Sequence, residues 1–174
     1  MIQIRRASDS DAVWLVQLVT DPSFNRGMGD DAQKGALLAL AVPKKFEFHN
    51  AGRGCILIAQ DQTGPLGYGA YLDSISTGYS YVEYGVTPSK FRRGIGGSIL
   101  DALIASARQS GSLGLQTLCH LENVASIKLL SSRGFERPAL ANDPAPFKRY
   151  TLSFAFDFDN EPSPIEIIPP SSGS

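Results

Sequence analysis

In this chain of 174 residues, the residue types and spacing that could do chemistry are concentrated in Val86-Thr87-Pro88-Ser89-Lys90-Phe91-Arg92-Arg93-Gly94-Ile95-Gly96-Gly97-Ser98. A β-type run enters a basic, glycine-rich turn and leaves it as a helix-forming stretch. Glycines let the backbone come close to a ligand, the first N–H groups of a helix have no partner within it, and the helix dipole places about half a positive charge there. Lys90, Arg92 and Arg93 add the only dense basic cluster of the sequence. Such a turn is a phosphate cradle. The dinucleotide fingerprint G-x-G-x-x-G fails, because its sixth position counted from Gly94 is Ile99, and the nucleotide-triphosphate loop fails because neither Gly-Lys-Ser nor Gly-Lys-Thr occurs. Local physics therefore stops at a phosphate-bearing cofactor, with a glycine turn that merely joins strand to helix as the bland alternative.

Other chemistries find little support. The two cysteines, Cys55 and Cys119, lie in apolar strand-like runs, and with His49 and His120 they form no set of metal ligands at useful spacing. A reducing cytoplasm and no metal fit that usage. Sixteen Lys and Arg against 17 Asp and Glu leave a formal net charge of -1, so no bulk positive field holds nucleic acid or anionic lipid. The longest apolar stretch, Gly35 to Val42, falls far short of the roughly 20 residues that cross a bilayer. At the start, Ser8-Asp9-Ser10-Asp11 interrupts the apolar core that a secretion signal would need, so export is not expected.

The elements that must position the turn follow from periodicity. Ile2 to Ala7 reads as a strand. Ser8 with Asp11 resembles a helix-capping pair, and Ala12, Leu15, Val16 and Val19 form one stripe of a helix that ends at Asp21-Pro22. After a loop at Asn25 to Gly29, a second helix is expected from Asp31 to Ala41, stopping before Pro43. Cys55 to Ala59, Leu66 to Asp73 and Tyr79 to Val86 read as three antiparallel strands joined by turns at Asp61 to Gly64 and Ser76 to Gly78. A helix over Gly94 to Gln109, a strand over Leu113 to Leu121, a helix over Asn123 to Ser132 closed by Gly134, and a last strand over Arg149 to Phe156 complete the order. This is an α/β (α+β) pattern of one domain over residues 1–158. Seven of the 11 prolines lie at or after Pro138, which sets off a Pro/Ser-rich tail over 159–174, expected to be flexible.

Phe91-Arg92-Arg93-Gly94-Ile95-Gly96 resembles the [RQ]-x-x-G-x-[GA] signature of the GCN5-related N-acetyltransferase (GNAT) family. Asn123 to Leu130, running on to Gly134-Phe135, resembles that family's N-x-x-[AS] helix ending in Gly-Phe. With the order of elements, the likeness covers roughly Ile2 to Phe156. It implies a mixed, mainly antiparallel central sheet flanked by helices and splayed between the fourth and fifth strands. It also implies acetyl-CoA as co-substrate, its pyrophosphate on the backbone from Arg92 through Arg93, Gly94, Ile95 and Gly96 to Gly97, next to Ser98, and its pantetheine arm beside Tyr84, Gly85 and Val86. Asn123 falls where the family commonly contacts the cofactor or its thioester end. Phe91 stands where Arg or Gln is usual, which bears on a side-chain contribution there and not on the backbone cradle.

The family often places a Glu five residues before the motif Asn and a Tyr seven after it; here those positions are Leu118 and Leu130, which cannot transfer a proton. Three replacements come into view. His120 lies two residues after Leu118 on the same strand face, and an imidazole suits a base near neutral pH. Glu83 can act directly or through water, provided that no bulge disturbs the strand's alternation. Tyr84 can donate a proton or simply pack beside the cofactor, and Cys119, on the opposite parity, reads as a small core residue. Glu83 and His120 are thus the candidate catalytic side chains. The expected function is acetyl transfer to a primary amine, on a small molecule, peptide or protein, by direct attack. An acyl-CoA-binding regulatory module without turnover is the alternative. No nucleic acid or membrane partner is expected, and a homodimer is an expected assembly because dimers are common in the family.

Overall fold

The computed structural model describes residues 1–26, 32–74, 77–138, 143 and 146–154. Six strands, β1 (Gln3–Arg6), β2 (Gly54–Asp61), β3 (Gly64–Leu72), β4 (Tyr79–Val86), β5 (Gly114–His120) and β6 (Phe147–Ser153), form one sheet in sequential order. The helices are α1 (Asp11–Thr20), α2 (Pro22–Arg26), α3 (Ala32–Asn50), α4 (Ile95–Gln109) and α5 (Val124–Ser132), with a single 3-10 turn at Pro88–Lys90 between β4 and α4.

β4 and β5 are parallel, and every other neighbouring pair is antiparallel. The parallel pairing is short: Tyr79, Ser80 and Tyr81 face Gly114, Leu115 and Gln116, and there the register stops. Beyond it β4 remains paired to β3 as far as Val86, and β5 to β6 as far as His120. The two strands therefore part while each keeps its outer neighbour, and the mixed, splayed sheet expected from the sequence is present. The β3–β4 register runs without a bulge, so alternation holds along β4. The one shift in register lies between β2 and β3, at Ala59/Gln60.

The sheet is buried on both faces. One core packs α4 against it through Ile95, Ile99, Leu100 and Leu103, with Leu130 of α5 joining in. The other packs α1 and α3 through Leu15, Val19, Val42 and Phe46 over Ile56, Ile58, Tyr68 and Ala70. At the start of α1, the Arg5 guanidinium donates to both Asp11 carboxylate oxygens at 2.7 Å and the Ser8 N–H adds a bond of 2.8 Å. Burial alone would raise the Asp11 carboxyl, but Arg5 and Ser8 hold it below its ordinary value.

Three boundaries differ from the sequence reading. Asn25 and Arg26 belong to α2 rather than to a loop. α3 runs through Pro43 to Asn50 instead of stopping before it. An interior proline costs about 3 kcal/mol or more, whereas burying Val42 and Phe46 contributes about 1.5–3 kcal/mol each. Packing outweighs the local break, and the His49 imidazole secures the helix end between the Ala7 carbonyl at 3.0 Å and the Ile56 N–H at 3.1 Å. Finally, β6 begins at Phe147, because it pairs with the whole of β5 from His120 to Gly114. Residues 155–156 of the expected last strand and the tail over 159–174 lie outside the described residues.

Candidate active site at the gap between β4 and β5

The turn from β4 to α4 is built to leave its amides free. Arg92 and Gly94 both adopt left-handed backbone conformations, with φ of 62° and 75°, and Gly94 caps α4. Ser98 is the first residue whose N–H enters the helix ladder, donating to Gly94 at 3.1 Å. Among the described residues, none of the six N–H groups from Arg92 to Gly97 meets an acceptor. An unpaired amide is tolerated where water or a ligand reaches it. Here Arg92, Gly94, Ile95, Gly96 and Gly97 border a groove of about 570 Å³ whose walls also include Tyr84, Gly85, Val86, Lys90, Phe91 and Leu129. Gly85 is required by packing: a Cβ there would run into the ring of Phe24, which also lines the groove. Phe91, 53% exposed, lies along the same groove.

A second cavity, of about 280 Å³, opens on the other side of the gap and is lined in part by Glu83, Tyr81, Leu118, His120 and Phe147. Tyr84, Asn123 and Ser126 line both cavities, so the two meet where the strands part. Asn123 is the N-cap of α5: its side-chain oxygen accepts the Ser126 N–H at 3.1 Å, and its own N–H donates to the His120 carbonyl at 2.9 Å. The Tyr84 hydroxyl and Ser126 Oγ are 2.5 Å apart. Burial pushes the Tyr84 phenol up to about 12.

Glu83 lies on the face of β4 that meets α3. Its Oε1 accepts the Tyr68 hydroxyl at 3.1 Å and forms an ion pair with Lys45 of α3, whose side chain is 8% exposed. Burial, with the Glu83 charge beside it, raises the Tyr68 phenol well above its ordinary value. The same two causes raise Tyr81. On β5, Leu118 and His120 share one parity and are partly exposed, while Cys119, between them, is buried. The His120 Nδ1 accepts the Glu122 N–H at 3.2 Å and its ring stands edge-on to Phe147, with centroids 5.2 Å apart. Leu118 and Leu130 sit at the cavity wall, with Leu130 fully buried.

Of the cradle residues named from sequence, Arg93 and Ser98 stand apart from the groove lining. Arg93 reaches toward Asp61 of the β2–β3 hairpin at 3.9 Å, and the Ser98 hydroxyl turns back to the Gly94 carbonyl at 3.4 Å. Sequence reasoning did not single out Phe24, Leu38, Lys45 and Phe147 one by one, although all four lie in segments 21–50 and 138–147, which the likeness to the family implies border the acceptor site; Tyr68 and Thr117 were not anticipated at all. For Lys45 and Phe147 the signal was hidden by the misplaced element ends.

The model of the acetyltransferase (GNAT) family matches residues 31–135, well over half of the chain. The chain belongs to the GNAT acetyltransferase family. The matched segment carries the cradle, both sides of the gap and the Asn123 cap. Solved GNAT folds superimpose over nearly their whole length. The ribosomal-protein-alanine N-acetyltransferase from Brucella melitensis is 21% identical with a TM-score of 0.70, over 87% of this chain and 99% of that one. The protein yncA from Salmonella typhimurium, solved with its cofactor acetyl-CoA, is 18% identical with a TM-score of 0.69, over 95% and 99%. The PaiA N-acetyltransferase from Thermoplasma acidophilum, in complex with coenzyme A, is 13% identical with a TM-score of 0.74, over 88% and 99%. No curated protein matches the chain by sequence.

Proposed function

We propose that this chain is an N-acetyltransferase that moves an acetyl group from acetyl-CoA to a primary amine by direct attack. The observation that carries the reading is the meeting of two cavities at Tyr84, Asn123 and Ser126, one of them bordered by the free amides of Arg92 and of Gly94 to Gly97. The donor set fits a pyrophosphate: backbone N–H groups at a helix start, Lys90 and Arg92 beside them, and a glycine backbone open to close approach. Similar folds solved with acetyl-CoA or coenzyme A support the same choice. Acetyl-CoA supplies an activated thioester carbonyl, and the chain's own residues bind, orient and handle protons around it.

In this reading Glu83 is the group in the second cavity able to take a proton from the amine, directly or through water. His120 serves differently: its Nδ1 already accepts a backbone N–H, so the neutral ring carries its proton on Nε2 and acts as a donor. Tyr84 keeps its proton and holds Ser126 across the gap. Buried thiols at Cys55 and Cys119 fit a reducing cytoplasm.

The test is release of free thiol from acetyl-CoA with and without an amine acceptor. Amine-dependent release supports transfer. Coenzyme A binding without any release would mark the chain as an acyl-CoA-binding module.

A further inference from the structure

The cavity that faces the amine acceptor carries a carboxylate whose charge the fold has already matched. Glu83 lines it, and behind Glu83 stands Lys45, nearly inaccessible to solvent and ion-paired to Oε1, the oxygen that also takes the Tyr68 hydroxyl bond. Among the described lining residues Glu83 is the one carboxylate and there is no Lys or Arg; beside the His120 imidazole the walls are largely apolar or aromatic, with Leu38, Tyr81, Leu118 and Phe147 among them. An unmatched carboxylate would attract a second ammonium group on an acceptor. A matched one offers that group little, while the apolar walls still ask the ammonium to leave water. The size also fits a compact apolar body, because a dry cavity of about 150 Å³ already admits benzene, and this one is about 280 Å³.

From this pairing we infer that the acceptor is a primary amine on an apolar or aromatic body, without a second positive charge, and that Lys45 sets this preference through Glu83. The inference rests on the acetyltransferase reading and names its substrate class. Lys45 is a positioning and charge-matching residue, and it exposes no reacting atom to the cavity lining.

A matched pair of amines tests it, since hexylamine and cadaverine have the same number of heavy atoms and differ in one end group; phenethylamine serves as the aromatic member. Binding is measured by calorimetry on the coenzyme A complex, and acetyl transfer in parallel. In the wild type, hexylamine and phenethylamine should be favoured over cadaverine by about tenfold or more, the range of a charge-assisted hydrogen bond not made. Lys45→Met should erase or invert the ratio, and adding Glu83→Gln to it should restore the wild-type order of binding. A merely structural role for Lys45 would weaken all three amines together and leave the ratio unchanged, which would overturn the inference. So would a wild type that takes cadaverine as well as hexylamine, or that binds none of the three. Absence of coenzyme A binding, or of acetyl transfer to any amine, strikes the underlying acetyltransferase reading instead.

Discussion

The Tyr84 hydroxyl of β4 and the Ser126 hydroxyl of α5 lie 2.5 Å apart, joining the two sides of the gap at the point where the cavities meet. With its phenol pushed up to about 12 by burial, Tyr84 does not titrate between about pH 6 and 10. Tyr84→Phe should therefore lower turnover without changing the shape of the pH profile. Its cost should stay under the roughly 100-fold lower bound typical of a lost general acid. A descending alkaline limb that disappears only in Tyr84→Phe would show that Tyr84 gives up its proton.

The cradle predicts a specific loss of binding. Gly96 has room for a Cβ, the nearest atoms being 3.4 and 3.7 Å away, so Gly96→Glu should fold and place its carboxylate in the proposed phosphate site. At about 100 times its dissociation constant, coenzyme A should stabilise the wild type by roughly 2.7 kcal/mol, and the variant by almost nothing. A full thermal shift in a folded Gly96→Glu would remove the cradle from the account.

How much of this was legible in the sequence depends on where the signal was local. The turn from Val86 to Ser98 and the Asn123 cap are contiguous, and their chemistry could be read from residue type and spacing. The Lys45–Glu83 pair could not. Lys45 follows Pro43, where a local rule ends the helix, and only the burial of Val42 and Phe46 carries α3 onward to bring Lys45 against β4. Likewise the Phe24 ring against Gly85 depends on α2, five residues that carry no periodicity of their own. Phe147 enters the cavity because β6 follows β5 to its end, a pairing choice invisible in β6 alone.

His49 predicts how stability responds to acid. Burial holds its imidazole below the ordinary 6.5, the bond to Ala7 opposing and Arg6 adding to the depression. Between the folded value and 6.5 the unfolded chain binds more protons, so this contribution is complete above about pH 6.5 and is lost as pH falls. Each unit of depression corresponds to about 1.4 kcal/mol. Denaturant unfolding at about pH 8 and about pH 5.5 should show a larger loss for the wild type than for His49→Gln. Equal losses would assign the acid sensitivity elsewhere.

The tail should be dispensable for the cofactor. The described residues lining the two cavities run no further than Phe147. A chain ending at Asp159 should keep its coenzyme A affinity, measured by calorimetry. A large loss in a folded truncation would make the tail part of the site.

Glu83 and His120 should separate by role. Removing a true base typically costs about 100-fold or more. His120→Ala should cost less, since its ring donates, and Glu83→Gln should be the more damaging of the two. With two amines of well-separated pKa, the rising limb should track the amine. A limb fixed for both amines and flattened only by His120→Ala would make His120 the base.

The central claim is acetyl transfer to an amine across the β4–β5 gap. Its most direct measurement is intact-mass analysis after the protein, acetyl-CoA and a pool of amines and peptides have been incubated together, with Gly96→Glu in parallel. The wild type should yield acceptors heavier by one acetyl group, in step with free coenzyme A, and the variant should yield none. Coenzyme A binding by the wild type with no acetylated acceptor, or equal product from Gly96→Glu, would contradict it.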